Sequence, residues 1–236
     1  MMYIKGFFYG IYMIYLRFKA VKHSWIKKHK GQEAADKYTQ QTAYLWGEYT
    51  RKTIGIELEI VGVENIPKEA CLFIGNHTSI LDIPIIFCAV DRLVGFVSKK
   101  EVLKAPVLGT WLERAHCIPL DRDNPREAIK TINTGVELIK KGYSIAIFPE
   151  GTRSKDGKVG EFKKGSLKLA TKSKAPIVPV AIDRAYRCFE KDKKFKPAKI
   201  KIEFGKPIRT DNLTKEEEKV LNDTVRDKII KMLEEK

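Results

Sequence analysis

The feature that most restricts what this chain can fold into is the regular return of short runs rich in branched apolar residues, at 56–61, 70–74, 93–97, 117–120, 144–148, 177–182 and 199–204. Each has the length and composition of a buried strand. Between them, 124–141 and 163–174 carry helical patterning, and Thr214-x-x-Glu217 has the form of a capping box opening a C-terminal helix that runs to about Leu233. The alternation predicts an α/β fold: a mixed, largely buried sheet covered by helices, with no internal repeat and no low-complexity linker. In such sheets the loops leaving strand ends gather residues distant in sequence into one cleft. Polar clusters just after the apolar runs are therefore the places to look for chemistry.

Two clusters meet that condition. The first, Asn76-His77-Thr78-Ser79-Ile80-Leu81-Asp82, follows Cys71-Leu72-Phe73-Ile74. A histidine titrates near neutrality and can take a proton from a hydroxyl, provided another group holds its second ring nitrogen in the right tautomer. Asp82 is the candidate for that group. A five-residue separation is not helical spacing, so the two side chains meet only if the chain turns from loop into helix between them. The same residues also fit plain helix capping, since Ser79-x-x-Asp82 can start a helix whose buried stripe is Leu81, Ile85 and Ile86. The second cluster, Phe148-Pro149-Glu150-Gly151-Thr152-Arg153-Ser154, follows Tyr143-Ser144-Ile145-Ala146-Ile147. Gly151 permits close backbone approach and Arg153 offers a planar guanidinium, which suits a phosphate; a polar surface turn has the same composition.

Together the two clusters resemble the conserved blocks of the glycerolipid acyltransferase family. Its first block, Asn-His-x-x-x-x-Asp, falls on Asn76, His77 and Asp82, and its third, Phe-Pro-Glu-Gly-Thr-Arg-Ser, on residues 148–154. The second block, which ends in an arginine, is similar to Cys117-Ile118-Pro119-Leu120-Asp121-Arg122, and the fourth to Ile177-Val178-Pro179-Val180. One departure is His116, at a position where family members often carry glycine. With no acidic partner beside it in sequence, His116 is read as structural or adjacent to substrate. The resemblance covers roughly 55–210. It implies transfer of an acyl group from a thioester, of coenzyme A or of an acyl carrier protein, to the free hydroxyl of lysophosphatidic acid, giving phosphatidic acid. His77 and Asp82 are then the catalytic pair. Glu150, Gly151, Thr152, Arg153 and Arg122 form the acceptor site, and Lys163 and Lys164 stand close enough in sequence to assist at the phosphate.

Charge bears on the partner. With 236 residues, 43% of them hydrophobic, the chain can bury a sizeable core, yet its formal charge of +15 calls for an anionic surface. The N-terminus indicates which kind. Residues 1–22 form an aromatic apolar run bounded by Lys5 and Arg17, too short between charges to span a bilayer, with Phe7, Ile11, Ile14 and Phe18 at helical spacing. Such a helix suits the interface of an anionic membrane, and it places the protein as peripheral or monotopic on the cytoplasmic face. No small-residue cleavage pattern precedes the basic stretch at 22–30, which argues against a signal peptide. A second helix is expected from near Glu33 to about Lys52, with Tyr38, Leu45 and Tyr49 on one side. The organisation expected is a helical hairpin at 1–54, which supports the domain or dips into lipid, and an acyltransferase domain at 55–236.

Other readings are weaker. Cys71, Cys88, Cys117 and Cys188 show neither disulfide pairing nor Cys-x-x-Cys metal spacing, so a reducing compartment, no metal and no cofactor are expected beyond the thioester co-substrate. Cys117 as an acyl-carrying nucleophile is conceivable, but a cysteine in a strand is usually buried. A non-catalytic lipid-binding protein on the same fold, or an acyltransferase for another glycerolipid, shares the motifs. Ser79 and Ser154 lack the Gly-x-Ser-x-Gly elbow of a hydrolase. Nucleic-acid binding has only the charge in its favour and is not expected.

Overall fold

The structure, a computed structural model, describes residues 2–121, 125–163 and 165–235. Arg122 and Lys164, both named above beside the acceptor phosphate, lie outside the described residues. In chain order the elements are α1 (Met2–Ile54), β1 (Ile56–Val61), β2 (Leu72–Gly75), α2 (Asp82–Ala89), β3 (Val94–Lys99), α3 (Lys100–Leu103), α4 (Leu108–Arg114), β4 (Ile118–Leu120), α5 (Pro125–Lys140), β5 (Ser144–Ile147), α6 (Lys168–Ser173), β6 (Ile177–Asp183), β7 (Ala198–Phe204) and α7 (Lys215–Glu234). Every expected strand is present, with ends displaced by at most a residue or two. The helix expected over 163–174 is shorter: Ser166 N bonds Lys163 O and Lys168 N bonds Gly165 O, so successive turns occupy its first third and regular helix begins only at Lys168.

The strands form one sheet in the order β1-β7-β6-β2-β5-β3-β4, and every pairing is parallel except β6 with β7. Side chains alternate across it as the pleat requires. Phe73 of β2 enters one half of the core, with Ile85, Phe96 and Phe204, while Leu72 and Ile74 enter the other, with Ile145, Ile177 and the α7 stripe Leu221, Val225 and Ile229. That stripe repeats every fourth residue, which keeps one face of α7 on the sheet. Thr214 caps the helix: its hydroxyl accepts from Glu217 N, and Glu217 returns a carboxylate to Thr214 N.

α1 is a hairpin, as expected. Its helical path breaks at Gly31, whose φ of 83° and ψ of 178° reverse the chain. Across the two arms Lys5 Nζ donates to Thr53 O (2.7 Å), Trp46 Nε1 donates to Tyr9 Oη (3.0 Å), and the Tyr12 and Tyr49 rings stack at 3.9 Å. The first arm is two-faced. Leu16, His23 and Ile26 are buried on the inner side, and Trp111 of α4 donates to Leu16 O (3.1 Å). On the outer side Phe7, Ile11, Ile14 and Phe18 are 68, 47, 59 and 70% exposed, so this apolar stripe covers no part of the core. No helix among the described residues is long and apolar enough to cross a membrane.

Candidate active site

Strand order explains why residues far apart in sequence meet. β2 lies between β5 and β6, all three run parallel, and the ligand-binding edge of such a sheet is at the carboxyl ends of its strands. Ile74 is level with Ile147, so the loop that begins at Asn76 emerges beside the one that begins at Phe148. Asn76 is wholly buried and continues the sheet by side chain: Nδ2 donates to Ile182 O (3.0 Å) and Oδ1 accepts from Ile182 N (2.8 Å). The loop carrying His77 thus leaves from a fixed point.

The chain then turns into α2, whose first residue is Asp82. The buried carboxylate lies in the first turn of the helix and also faces the imidazole. Asp82 Oδ2 lies 2.7 Å from His77 Nδ1 and accepts from Thr78 N (2.8 Å) and Ser79 N (2.9 Å). Ser79 does not cap the helix: its hydroxyl accepts from Leu81 N, and Leu81, the residue before α2, offers no side-chain cap. With a carboxylate as acceptor, Nδ1 carries the proton and Nε2 keeps its lone pair. Phe148 stacks on the imidazole, with ring centroids 4.5 Å apart and planes 13° from parallel, and so fixes its orientation.

The second loop is bound to the first. Ser154 N donates to His77 O (2.8 Å), and Glu150, almost fully buried, accepts from His77 N through Oε1 (2.8 Å) and from Gly160 N through Oε2 (3.0 Å). Burial raises the Glu150 carboxyl above its ordinary pKa, partly offset by those two N–H donors. Both carboxylate oxygens are thereby spent on backbone, so the geometry gives Glu150 the ordering of the loop. Gly151 has a φ of 73°, a conformation that favours glycine, and a Cβ there would meet only the flexible end of Lys163. Thr152 and Arg153 project from the same loop.

These residues border a cavity of about 1090 Å³ between the sheet edge and the hairpin. Its wall combines apolar side chains, among them Ile54, Phe96, Val102, Leu108 and Leu112, with the cationic Arg153, Lys155, Lys193, Lys99 and Lys5, and His77 is also on it. Such a cavity suits a molecule with a hydrocarbon chain and an anionic head. The hairpin contributes Tyr9, Trp46 and Thr50 to the wall, a role that its sequence did not indicate. Sequence reasoning also missed Glu190, a buried acid within a lysine-rich stretch, which bonds Arg153 from the loop after β6. Its sole sequence signal is an acidic residue among Arg187, Lys191, Lys193 and Lys194.

The rival residues are engaged in other contacts. His116 adopts φ 60°, a backbone conformation that favours glycine. It is retained there by Asp36, whose Oδ1 is 3.2 Å from His116 Nε2 and whose Oδ2 accepts from Tyr143 Oη (2.6 Å), so it joins the hairpin to the domain. Cys117 is buried, and burial pushes its thiol up to about 12, which removes it as a nucleophile. The Ser154 hydroxyl donates to Asp156 and that of Ser79 to Glu190, while the imidazole bonds Asp82.

Residues 57–183 match the acyltransferase family model. A 1-acyl-sn-glycerol-3-phosphate acyltransferase of Limnanthes alba is 40% identical over 163 residues, 68% of this chain and 57% of that protein. One from Saccharomyces cerevisiae is 33% identical over 198 residues, 82% of this chain and 65% of that protein. The chain spans between about a third and two thirds of the length of the curated relatives it matches. The crystal structure of the 1-acyl-sn-glycerophosphate acyltransferase PlsC from Thermotoga maritima superposes with a TM-score of 0.86 at 28% identity, covering 99% of this chain and 93% of that one. By motif, by sequence and by fold, the chain belongs to the glycerolipid acyltransferase family.

Proposed function

We propose that the protein transfers a fatty acyl group from a thioester to the sn-2 hydroxyl of 1-acyl-sn-glycerol 3-phosphate, giving phosphatidic acid. The observation that carries this reading is the buried Asp82 holding His77 on the wall of a cavity lined by both apolar and cationic side chains. The acceptor phosphate pairs with Arg153 and its acyl chain lies against the apolar side chains of the wall. His77 Nε2 removes the hydroxyl proton as that oxygen attacks the thioester carbonyl. Asp82, already bonded to Nδ1, stabilises the imidazolium; base assistance of this kind is worth about 100- to 10,000-fold. The tetrahedral intermediate expels the thiolate, which takes the proton back from Nε2. No acyl-enzyme is required, because the thioester is already activated and positioning of both substrates supplies much of the remaining acceleration.

The donor is a thioester of coenzyme A or of an acyl carrier protein, and no separate cofactor takes part. The exposed stripe of the first arm rests on an anionic membrane surface on the cytoplasmic side, which brings the lysolipid to the cavity. Arg122 and Lys164 belong to the same reading as further phosphate contacts. The test is to incubate purified protein with a panel of lysolipid and glycerol 3-phosphate acceptors and both donors, identifying products by mass spectrometry. Phosphatidic acid forms from the intact protein and His77→Ala abolishes it with acceptor binding retained. Full turnover by that variant would end the proposal.

A further inference from the structure

The loop after β6 contributes one side chain that the family blocks do not contain. Glu190 is 3% exposed, and each of its carboxylate oxygens is engaged. Oε1 accepts from Arg153 Nη1 (3.1 Å) and from Ile80 N (2.8 Å), while Oε2 accepts from the Ser79 hydroxyl (2.7 Å). Ser79 and Ile80 lie between His77 and Asp82. One buried carboxylate therefore joins the segment bearing the base to the arginine of the second loop.

We infer that Glu190 is the positioning residue of the acceptor site, holding the Arg153 guanidinium in the orientation that receives the phosphate. The inference rests on the proposed role of Arg153. That side chain is 40% exposed and lines the cavity, and among the described residues it makes no hydrogen bond other than the one to Glu190. An arginine on a long stem loses affinity when its fork must be ordered at the moment of binding. Glu190 ties down one N–H and leaves the others for a ligand. An exposed ion pair would achieve little of this, since solvent and side-chain freedom dilute it. Here the acid is buried and is itself fixed by a hydroxyl and a backbone N–H, so it has one place to hold the guanidinium. Lys155 and Lys193 line the same cavity, so pairing one arginine with one acid leaves other cationic side chains on its wall.

The test is steady-state kinetics on the full chain, varying lysophosphatidic acid at saturating thioester and then the reverse, for Glu190→Gln, Arg153→Ala and the double variant. Glutamine keeps an oxygen for Ile80 N and removes the charge facing Arg153. We expect Glu190→Gln to raise the acceptor KM about tenfold, the scale of one charge-assisted hydrogen bond, with the donor KM unchanged and kcat nearly so. In the Arg153→Ala background the same substitution adds nothing. A role confined to holding Ser79 and Ile80 would instead lower kcat and persist in that background. If Glu190→Gln does not fold, Glu190→Asp keeps the charge but withdraws it by one methylene, and the same selective KM rise is expected. Should Arg153→Ala leave the acceptor KM untouched, the phosphate role of Arg153 fails and the inference falls with it. An acceptor effect of Arg153→Ala without one at Glu190, or equal effects at Glu190 in both backgrounds, overturns the inference alone.

Discussion

Replacing Asp82 with asparagine and with alanine separates two functions of one carboxylate. Three donors converge on Oδ2: His77 Nδ1 at 2.7 Å, Thr78 N at 2.8 Å and Ser79 N at 2.9 Å. Two of them are backbone N–H groups that cannot turn away. In Asp82→Asn they select the rotamer that places the amide oxygen at the site of Oδ2, so the imidazole keeps its tautomer and loses only the negative charge behind it. A hydrogen bond to a charged group is worth about 1.5–3 kcal/mol and a neutral one about 0.5–1.5 kcal/mol. The charge therefore contributes about 1–2 kcal/mol to the imidazolium, and kcat should fall by about 5- to 30-fold with stability nearly retained. Alanine instead leaves two backbone donors without their acceptor in a buried place, at about 1–3 kcal/mol each, and frees the imidazole. Urea unfolding should show a loss of about 2–6 kcal/mol for Asp82→Ala, and free-thiol release from acyl-coenzyme A should fall by more than about 100-fold. Two results would refute the reasoning: an asparagine variant as inactive as the alanine one, or wild-type turnover in either.

Further outcomes are expected elsewhere. Arg153→Ala should raise the acceptor KM by about tenfold or more, the value of a lost charged contact, and leave the donor KM as it is; equal changes in both would count against a phosphate contact. Serine at Phe7, Ile11, Ile14 and Phe18 together should abolish sedimentation with anionic vesicles while Tm changes little, because all four side chains face outward; unchanged sedimentation would remove the interfacial role. In Glu150→Gln the new amide group meets either His77 N or Gly160 N as donor against donor, so Tm should drop by the equivalent of about 1–3 kcal/mol. His23 is buried beside Trp111 with both ring nitrogens unbonded among the described residues, and burial, then Arg114 and Lys27, lower its pKa to about 4 despite Asp36. Its unfolded pKa is near 6.5, so the stability it confers is complete above that pH and is lost as pH falls toward 4, by up to about 3 kcal/mol. His23→Leu should lose less stability than wild type between pH 7 and 4.5, as read by thermal melts.

Much of this protein is legible in one dimension because its elements are local. β2, β5 and β6 are legible as continuous apolar runs because they are buried on both faces, β1 and β7 as runs that alternate apolar with charged residues, and Thr214 and Glu217 meet within one helical turn. His77 and Asp82 are legible for the same reason, being five residues apart across a single turn. Glu190 was not, because its partners Ser79, Ile80 and Arg153 are brought to it by β2, β5 and β6 lying side by side, and strand order leaves no trace in local pattern. Nor was the role of Glu150, which depends on Gly160 and His77 closing around it. The first arm shows the division most plainly: helical spacing placed Phe7, Ile11, Ile14 and Phe18 on one face, but packing decided that this face points outward while Tyr9 lines the cavity. Periodicity and short-range hydrogen bonding are properties of neighbouring residues, so the sequence by itself determined the strands, the cap of the last helix and the pairing of His77 with Asp82. Which buried acid orders which loop, and which face meets solvent, depends on contacts between segments far apart in sequence, 73 residues for Glu150 with His77 and 111 for Glu190 with Ser79, and only the packed sheet selects among them.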